Sequence, residues 1–370
     1  MAELLNPQLL KQNIDAAAQY DLNSKKVFGA AYYVCQEGTL TLERCYGTVA
    51  PHGEEPVTNT TLFRLASMTK PITAVAALIL VDRGLLGLDD PVEQYLPEFA
   101  GIHIIDAEGR DLGLPQIKPT LRHILSHCSG IGSTPEKTAD VRPEDKADVD
   151  SYVRYMRKVG LDFEPASMQK YSGVGAFDVL TKIIEQVAGV DYQTFLQQEI
   201  FTPCGMVDTT FTPNGEQAAR MVTMHQRKEG ENAAFSMPEG CVFEDFPATH
   251  YLGGAGLVST LRDYCRFCER LLHEGEGLVS AETFRQLCTP QIYKKEDESW
   301  GLGVRVITND KPSGLTKNCF GWSGAYGSHF WIDPERRIYA VYMKNSKVDG
   351  GAGNESAVNF EKAVYHSFYR

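Results

Sequence analysis

The sequence predicts an α+β fold: an antiparallel sheet assembled from both chain ends, flanked by helices, with a mainly helical domain inserted between the two halves. Three observations predict it. β-rich runs lie near the start, in residues 26–50, and again near the end, in residues 300–345. Helical patterns fill most of the chain between them. Strand–helix–strand alternation is missing, and a parallel doubly wound sheet needs it. With 370 residues, 43% of them hydrophobic, the chain is long for one domain. The expected division is a discontinuous sheet domain of residues 1–90 and 251–370, and a mainly helical domain of residues 91–250 with a loop region.

Each element has its own signal. "NPQLLKQNIDAAAQY" reads as an amphipathic helix. It lacks a continuous apolar stretch and a basic lead, so it does not read as a secretory signal. "KVFGAAYYVCQ" and "TLTLERCYGTVA" flank the turn "EG" and read as a hairpin. After polar "PHGEEPVTNTT" comes "ASMTK", then "ITAVAALILV", a helix that ends at Arg83-Gly84. Ile72 to Val81 is too short to span a bilayer. Helical patterns such as "DVDSYVRYMRKVG" and "GAFDVLTKIIEQVAG" follow, and residues 212–250 read as polar and irregular. "WGLGVRVIT", "NCFGWSGAYGSHFWIDP" and "RIYAVYMKN" return to strand, and "ESAVNFEKAVYHSFYR" closes as a helix.

The formal net charge of -12, with no Lys/Arg cluster, argues against nucleic acid and anionic membrane as partners. Nine cysteines, an odd number without framework spacing, indicate reduced thiols and a cytoplasmic location. Cys265 and Cys268 form a CxxC inside a helical pattern. Without a second pair they read as small packing groups rather than zinc ligands. His123 and His127 are four apart, but no third ligand accompanies them, so no metal is expected. "KKEDE" at residues 294–298 reads as a solvated loop. There is no GxSxG, which removes the α/β-hydrolase nucleophile elbow.

Two stretches read almost alike, "ASMTK" at residues 66–70 and "ASMQK" at residues 166–170. Each holds a serine three residues before a lysine, a spacing that meets on one face of a helix. The helix after Ser67 is apolar on nearly every side and should be buried. Burial and the positive helix end both disfavour an ammonium, so Lys70 is suited to act as a base. Free N–H groups of the first turn can hold an oxyanion. Ser167 follows Glu164-Pro165, and its helix pattern starts only near Ala176, so "ASMQK" reads as a loop. Ser67 is therefore the candidate nucleophile, since serine needs an activating base.

"LFRLASMTKPITAVAALILVDRGLLGLDDPVEQYLPEF" resembles the first-motif region of the serine β-lactamase / penicillin-binding-protein superfamily. Its class C β-lactamase-like branch, and within that the family VIII carboxylesterases, is the nearest match. "LRHILSHCSGI", "FEPASMQKYSGVGAFDVLTKIIEQVAG", "GGAGLVSTLRDYCRF" and "GWSGAYGSHFWIDP" are similar to further family segments, in order, over nearly the whole chain. The resemblance implies Ser67 as acylated nucleophile, Lys70 as its base and Tyr171 as second acid/base. It implies an oxyanion hole from the backbone N–H groups of Ser67 and Ala325. Trp322, Ser323 and Gly324 take the place of a Lys-Thr-Gly motif and are expected, with His329, to line the substrate site. Tyr251, Leu252, Phe235, Phe243 and Phe246 are candidate walls of an acyl pocket by the same layout.

Two departures from the family pattern bear on the substrate. Gly173 stands two residues after Tyr171 where β-lactam-binding relatives have Asn. Trp322 stands where they have Lys, replacing a cation by an apolar wall with one N–H. Both point from anionic amides toward neutral esters. The expected activity is thus cofactor-free hydrolysis of small carboxylic esters. The alternatives are an amidase, D-peptidase or β-lactamase, an acyltransferase using the same acyl-enzyme, and a non-catalytic binding protein of this fold.

Overall fold

The computed structural model describes residues 3–138 and 141–369. Its centre is a seven-stranded antiparallel sheet. The strands run, edge to edge, Thr39–Gly47, Gly29–Gln36, Ile338–Met343, His329–Asp333, Phe320–Ser323, Arg305–Ile307 and Glu298–Trp300. Two strands thus come from the start of the chain and five from its end. The ends meet where Gly29–Gln36 pairs with Ile338–Met343, with Tyr32 opposite Tyr342.

Alternation along these strands decides what covers each face. Tyr32, Trp331 and Tyr342 point to one face, packing on Leu10, Ile14 and Phe360 of the helices Pro7–Asn23 and Glu355–Tyr365. Ala31, Phe330, Val341 and Met343 point to the other, into a core shared with the helices Thr69–Asp82, Gly175–Ala188 and Leu261–Leu272. Because that second core is continuous from the sheet into the helical part of the chain, the Ser67 helix lies at the seam of the molecule.

Local chemistry sets the helix ends. Asn6 caps the first helix by accepting the N–H groups of Gln8 and Leu9, with Pro7 at its first position. Gly189, at φ 72°, ends the helix Gly175–Ala188 in the left-handed conformation that glycine adopts without strain. Cys265 and Cys268 are fully buried packing groups on Leu261–Leu272.

Residues 212–250 depart from the sequence reading. They hold two small hairpins, Met224–Lys228 with Glu231–Phe235 and Cys241–Phe243 with Phe246–Pro247. The strands are short and only partly buried, so alternation of polarity is weak and periodicity does not reveal them. Among the described residues no helix is long and apolar enough to cross a membrane.

Candidate active site

Ser67 lies in a 3₁₀ turn, Ala66–Met68, that runs directly into the helix Thr69–Asp82. Every residue from Thr69 to Leu80 of that helix is buried, as its apolar composition predicts. Ala66 takes the left-handed conformation, at φ 46°. The turn therefore follows strand Leu62–Arg64 abruptly and presents Ser67 at the helix entrance. Ser67 is 8% exposed and Lys70 is 0% exposed.

Lys70 Nζ sits 3.3 Å from Ser67 Oγ, 2.6 Å from the Gly173 carbonyl and 2.8 Å from the Gly254 carbonyl. The two carbonyls accept N–H bonds and leave the third direction of the nitrogen for Ser67. Gly254 allows this close approach, since a Cβ there would crowd Gly173 O at 3.1 Å and touch Lys70 Nζ at 3.4 Å. The segment is fixed further along the helix, where Thr73 donates to Gly253 O at 2.6 Å and Tyr192 donates to Thr73 at 2.7 Å.

Behind this segment, buried His250 meets buried Asp178 at 3.0 Å through Nε2, and its Nδ1 lies 2.8 Å from Lys146 O. A carbonyl only accepts, so Nδ1 carries a proton and a second proton is shared between Nε2 and Asp178. Burial pushes the Asp178 carboxyl up. Burial works against a charged His250, yet Asp178 holds its imidazole above the ordinary range. The pair ties the Tyr251–Gly254 approach to the helix that follows Tyr171.

Tyr171 donates to Ser67 Oγ at 2.7 Å and accepts from Trp322 Nε1 at 3.3 Å. Its ring stacks on Trp300 at 5.6 Å and lies 5.3 Å from Trp322 and 4.6 Å from His127. His127 accepts the Ser172 N–H at Nδ1, which fixes the backbone next to Tyr171. Burial holds the His127 imidazole well below its usual range, so it stays neutral. His127 lies beyond the end of helix Leu121–Leu125, at φ 58°, so the i, i+4 metal geometry considered for it with His123 does not arise. His123 instead completes a capping box with Thr120.

Strand Phe320–Ser323 supplies the opposite wall. Gly324 lets it approach the Ser67 turn, because a Cβ there would fall 2.4 Å from Leu65 O. The next residue, Ala325, is exposed. Among the described residues no protein acceptor takes the backbone N–H of Ser67 or of Ala325.

Ser323 and His329 differ from expectation. Trp322 faces Tyr171, so the two-residue strand period turns Ser323 to the other face of the sheet. There Ser323 Oγ meets His329 Nδ1 at 2.8 Å, and His329 Nε2 lies 3.0 Å from Glu361 of the last helix. Ser323 is 2% and His329 1% exposed. Their side chains brace the strand from behind and do not line the site. Burial works against a charged Glu361, yet His329 holds its carboxyl below the usual range.

The "ASMQK" twin is built differently. Ser167 is exposed in a turn, its N–H bonded to Glu164 O at 3.0 Å. Lys170 Nζ reaches Thr134 at 3.0 Å. Ala166, at φ 63°, shares only the left-handed backbone of Ala66. The helix that follows begins at Gly175.

The family model described as Beta-lactamase matches residues 10–361. The chain belongs to the beta-lactamase family. "Esterase EstB" of Burkholderia gladioli is 28% identical, with 98% of this chain and 96% of that protein covered. "Acyltransferase calJ" of Penicillium decumbens is 27% identical, over 88% of this chain and 85% of that protein. Among solved structures, that of "EstCE1, a hydrolase with promiscuous acyltransferase activity" superposes with a TM-score of 0.83 at 23% identity. It covers 97% of this chain and 99% of that one, and at such identity shows the shared fold.

Within this beta-lactamase-family frame, the space beside Tyr171 is a cavity of about 190 Å³. Tyr152, Gly173, Val174 and Phe246 line it with Lys146, whose ammonium is paired with Asp245 at 2.7 Å. Gly173 is exposed, and a Cβ there would meet nothing within 4 Å. Of the aromatics suggested as pocket walls, Phe246 lines this cavity. Phe235 lines a separate one, Phe243 packs on Tyr326, Tyr251 on Phe211, and Leu252 is in the core. Sequence reasoning missed Trp300, His127 and the Gly173 and Gly254 carbonyls. "YLGGAGL" carried a signal for the last, since paired glycines mark close backbone approach.

Proposed function

We propose that this protein is a serine hydrolase that cleaves small carboxylic esters through an acyl-Ser67 intermediate. One observation carries the reading: Ser67 Oγ stands within hydrogen-bond reach of both Lys70 Nζ, at 3.3 Å, and Tyr171 OH, at 2.7 Å. Ser67 gives its proton to the Lys70 amine and its Oγ bonds to the ester carbonyl carbon. The carbonyl oxygen, now negative, lies against the N–H groups of Ser67 and Ala325. Tyr171 protonates the departing alkoxide and recovers its proton from Lys70, which returns the amine to its starting state. Water then repeats the attack on the acyl group, releasing the acid and Ser67. No step calls for a cofactor.

Gly173 and Trp322 support esters over β-lactams. The first leaves no side-chain amide for a substrate amide. The second commits its single N–H to Tyr171 and offers no cation to a carboxylate. The curated relative named an esterase supports the same reading. The relative named an acyltransferase favours a second one, in which an alcohol replaces water on the same acyl-enzyme.

A paired assay with a short-chain nitrophenyl ester and a chromogenic cephalosporin tests the substrate class. Ester turnover should be faster by orders of magnitude, and S67A should abolish it. Faster cephalosporin turnover would refute the role given to Gly173 and Trp322. Adding a primary alcohol and measuring ester formation against acid release tests the transferase reading.

A further inference from the structure

A cavity of about 800 Å³ lies apart from the one beside Tyr171. The hairpin Cys241–Pro247 divides the two: Phe246 lines the smaller cavity and Pro247 the larger. Met221, Met224, Met237, Phe235 and Val242 make most of the larger wall apolar. Three thioethers give it a surface that adapts to flexible chains. Its volume lies within the range of small-molecule sites, roughly 300–1,000 Å³.

One lining residue is a cation. Arg64 is half-buried, and among the described residues no carboxylate stands within ion-pair distance of it. Nη1 donates to Val222 O at 3.0 Å, while Nε has no partner, and among the described residues no acceptor takes Nη2. The residue is firmly placed. Asn345 accepts its backbone N–H and donates to its carbonyl, both at 2.9 Å. Burial lowers the guanidinium from its ordinary range, as expected for a cation without a counter-charge. The one carboxylate of the lining, Glu239, is exposed. A planar guanidinium whose Nη2 has no acceptor among the described residues suits a carboxylate, and the apolar wall suits a hydrocarbon chain.

We propose that this cavity is a second small-molecule site, which takes a linear aliphatic carboxylate with its head on Arg64 and its chain on the methionine-lined wall. The proposal stands apart from the ester reading, since neither Ser67 nor Tyr171 lines the cavity. An occupant would still touch the turn that carries Ser67. Arg64 precedes Ser67 by three residues in the chain, and Ala66 packs with Met224 and Tyr326.

The test is calorimetric titration of the full chain, after its hydrolytic serine is blocked with a small phosphonate, using decanoate and decanol as probes. The expected result is one site that prefers decanoate at least tenfold. R64Q should reduce that preference to within about twofold while decanol still binds. A248W, which keeps Arg64 but fills the cavity, should remove binding of both. Three results would overturn the proposal: no binding of decanoate to the blocked protein, equal binding of the two probes, or a preference that survives in R64Q. If R64Q fails to fold, A248W decides alone, and undiminished decanoate binding in it refutes the site.

Discussion

Replacing Tyr171 by Phe removes one oxygen from the site and leaves the ring. The ring's contacts with Trp300 at 5.6 Å, Trp322 at 5.3 Å and His127 at 4.6 Å should survive. What disappears is the donor to Ser67 at 2.7 Å and the acceptor for Trp322 Nε1 at 3.3 Å. A positioned acid/base contributes about 10²–10⁴-fold, which is about 3–5 kcal/mol of barrier at about 1.36 kcal/mol per tenfold. The orphaned indole N–H costs about 1–3 kcal/mol of folding stability. Y171F should therefore lose two to four orders of magnitude in kcat/KM for a nitrophenyl ester and still unfold cooperatively, a few degrees below the parent. Activity within about threefold of the parent would refute the proton path through Tyr171. A folded variant that loses activity through KM alone would also refute it, since the phenol would then serve binding.

Further outcomes follow from single distances. G254A should lower kcat about tenfold or more with little change in KM, because its Cβ would crowd Gly173 O at 3.1 Å and Lys70 Nζ at 3.4 Å; steady-state kinetics check it. G173N has open space for its side chain, and it should raise cephalosporin turnover relative to ester turnover. A ratio unchanged within error would show that position 173 does not read amides. His127 is held neutral well below its ordinary value of 6.5, so below that pH the unfolded chain takes up a proton that the folded one refuses. Stability should fall as pH drops from 7.5 to 5.5, by about 1.4 kcal/mol for this group. H127Q should show a correspondingly flatter dependence in urea denaturation, and identical slopes would contradict the assignment.

The sheet and the Ser67 helix were legible because their signals are local. Strand runs at both ends and a helix apolar all round need only neighbours in sequence to be recognised. Ser67 and Lys70 were legible from the same helix, and Tyr171 from the motif around it. The socket of Lys70 was not. Gly173 and Gly254 act through carbonyls, which carry no side-chain signature, and they arrive from 103 and 184 residues away. Trp300 comes from an edge strand of three residues, too short to show a period. Ser323 and His329 were readable and misread. Once Trp322 is placed toward Tyr171, strand alternation alone sends Ser323 and its cross-strand partner His329 to the far face. In residues 212–250 the hairpins are set by turns and packing rather than by polarity, and pattern reading has little to work on there.

The central claim is that "ASMTK", and not its twin "ASMQK", supplies the nucleophile. Treating the protein with a fluorophosphonate and mapping the adduct by mass spectrometry tests it most directly. The account predicts a single modified serine, Ser67, with labelling slowed strongly in Lys70→Met. An adduct on the exposed Ser167, or no adduct on the Ser67 peptide of the active protein, would contradict it.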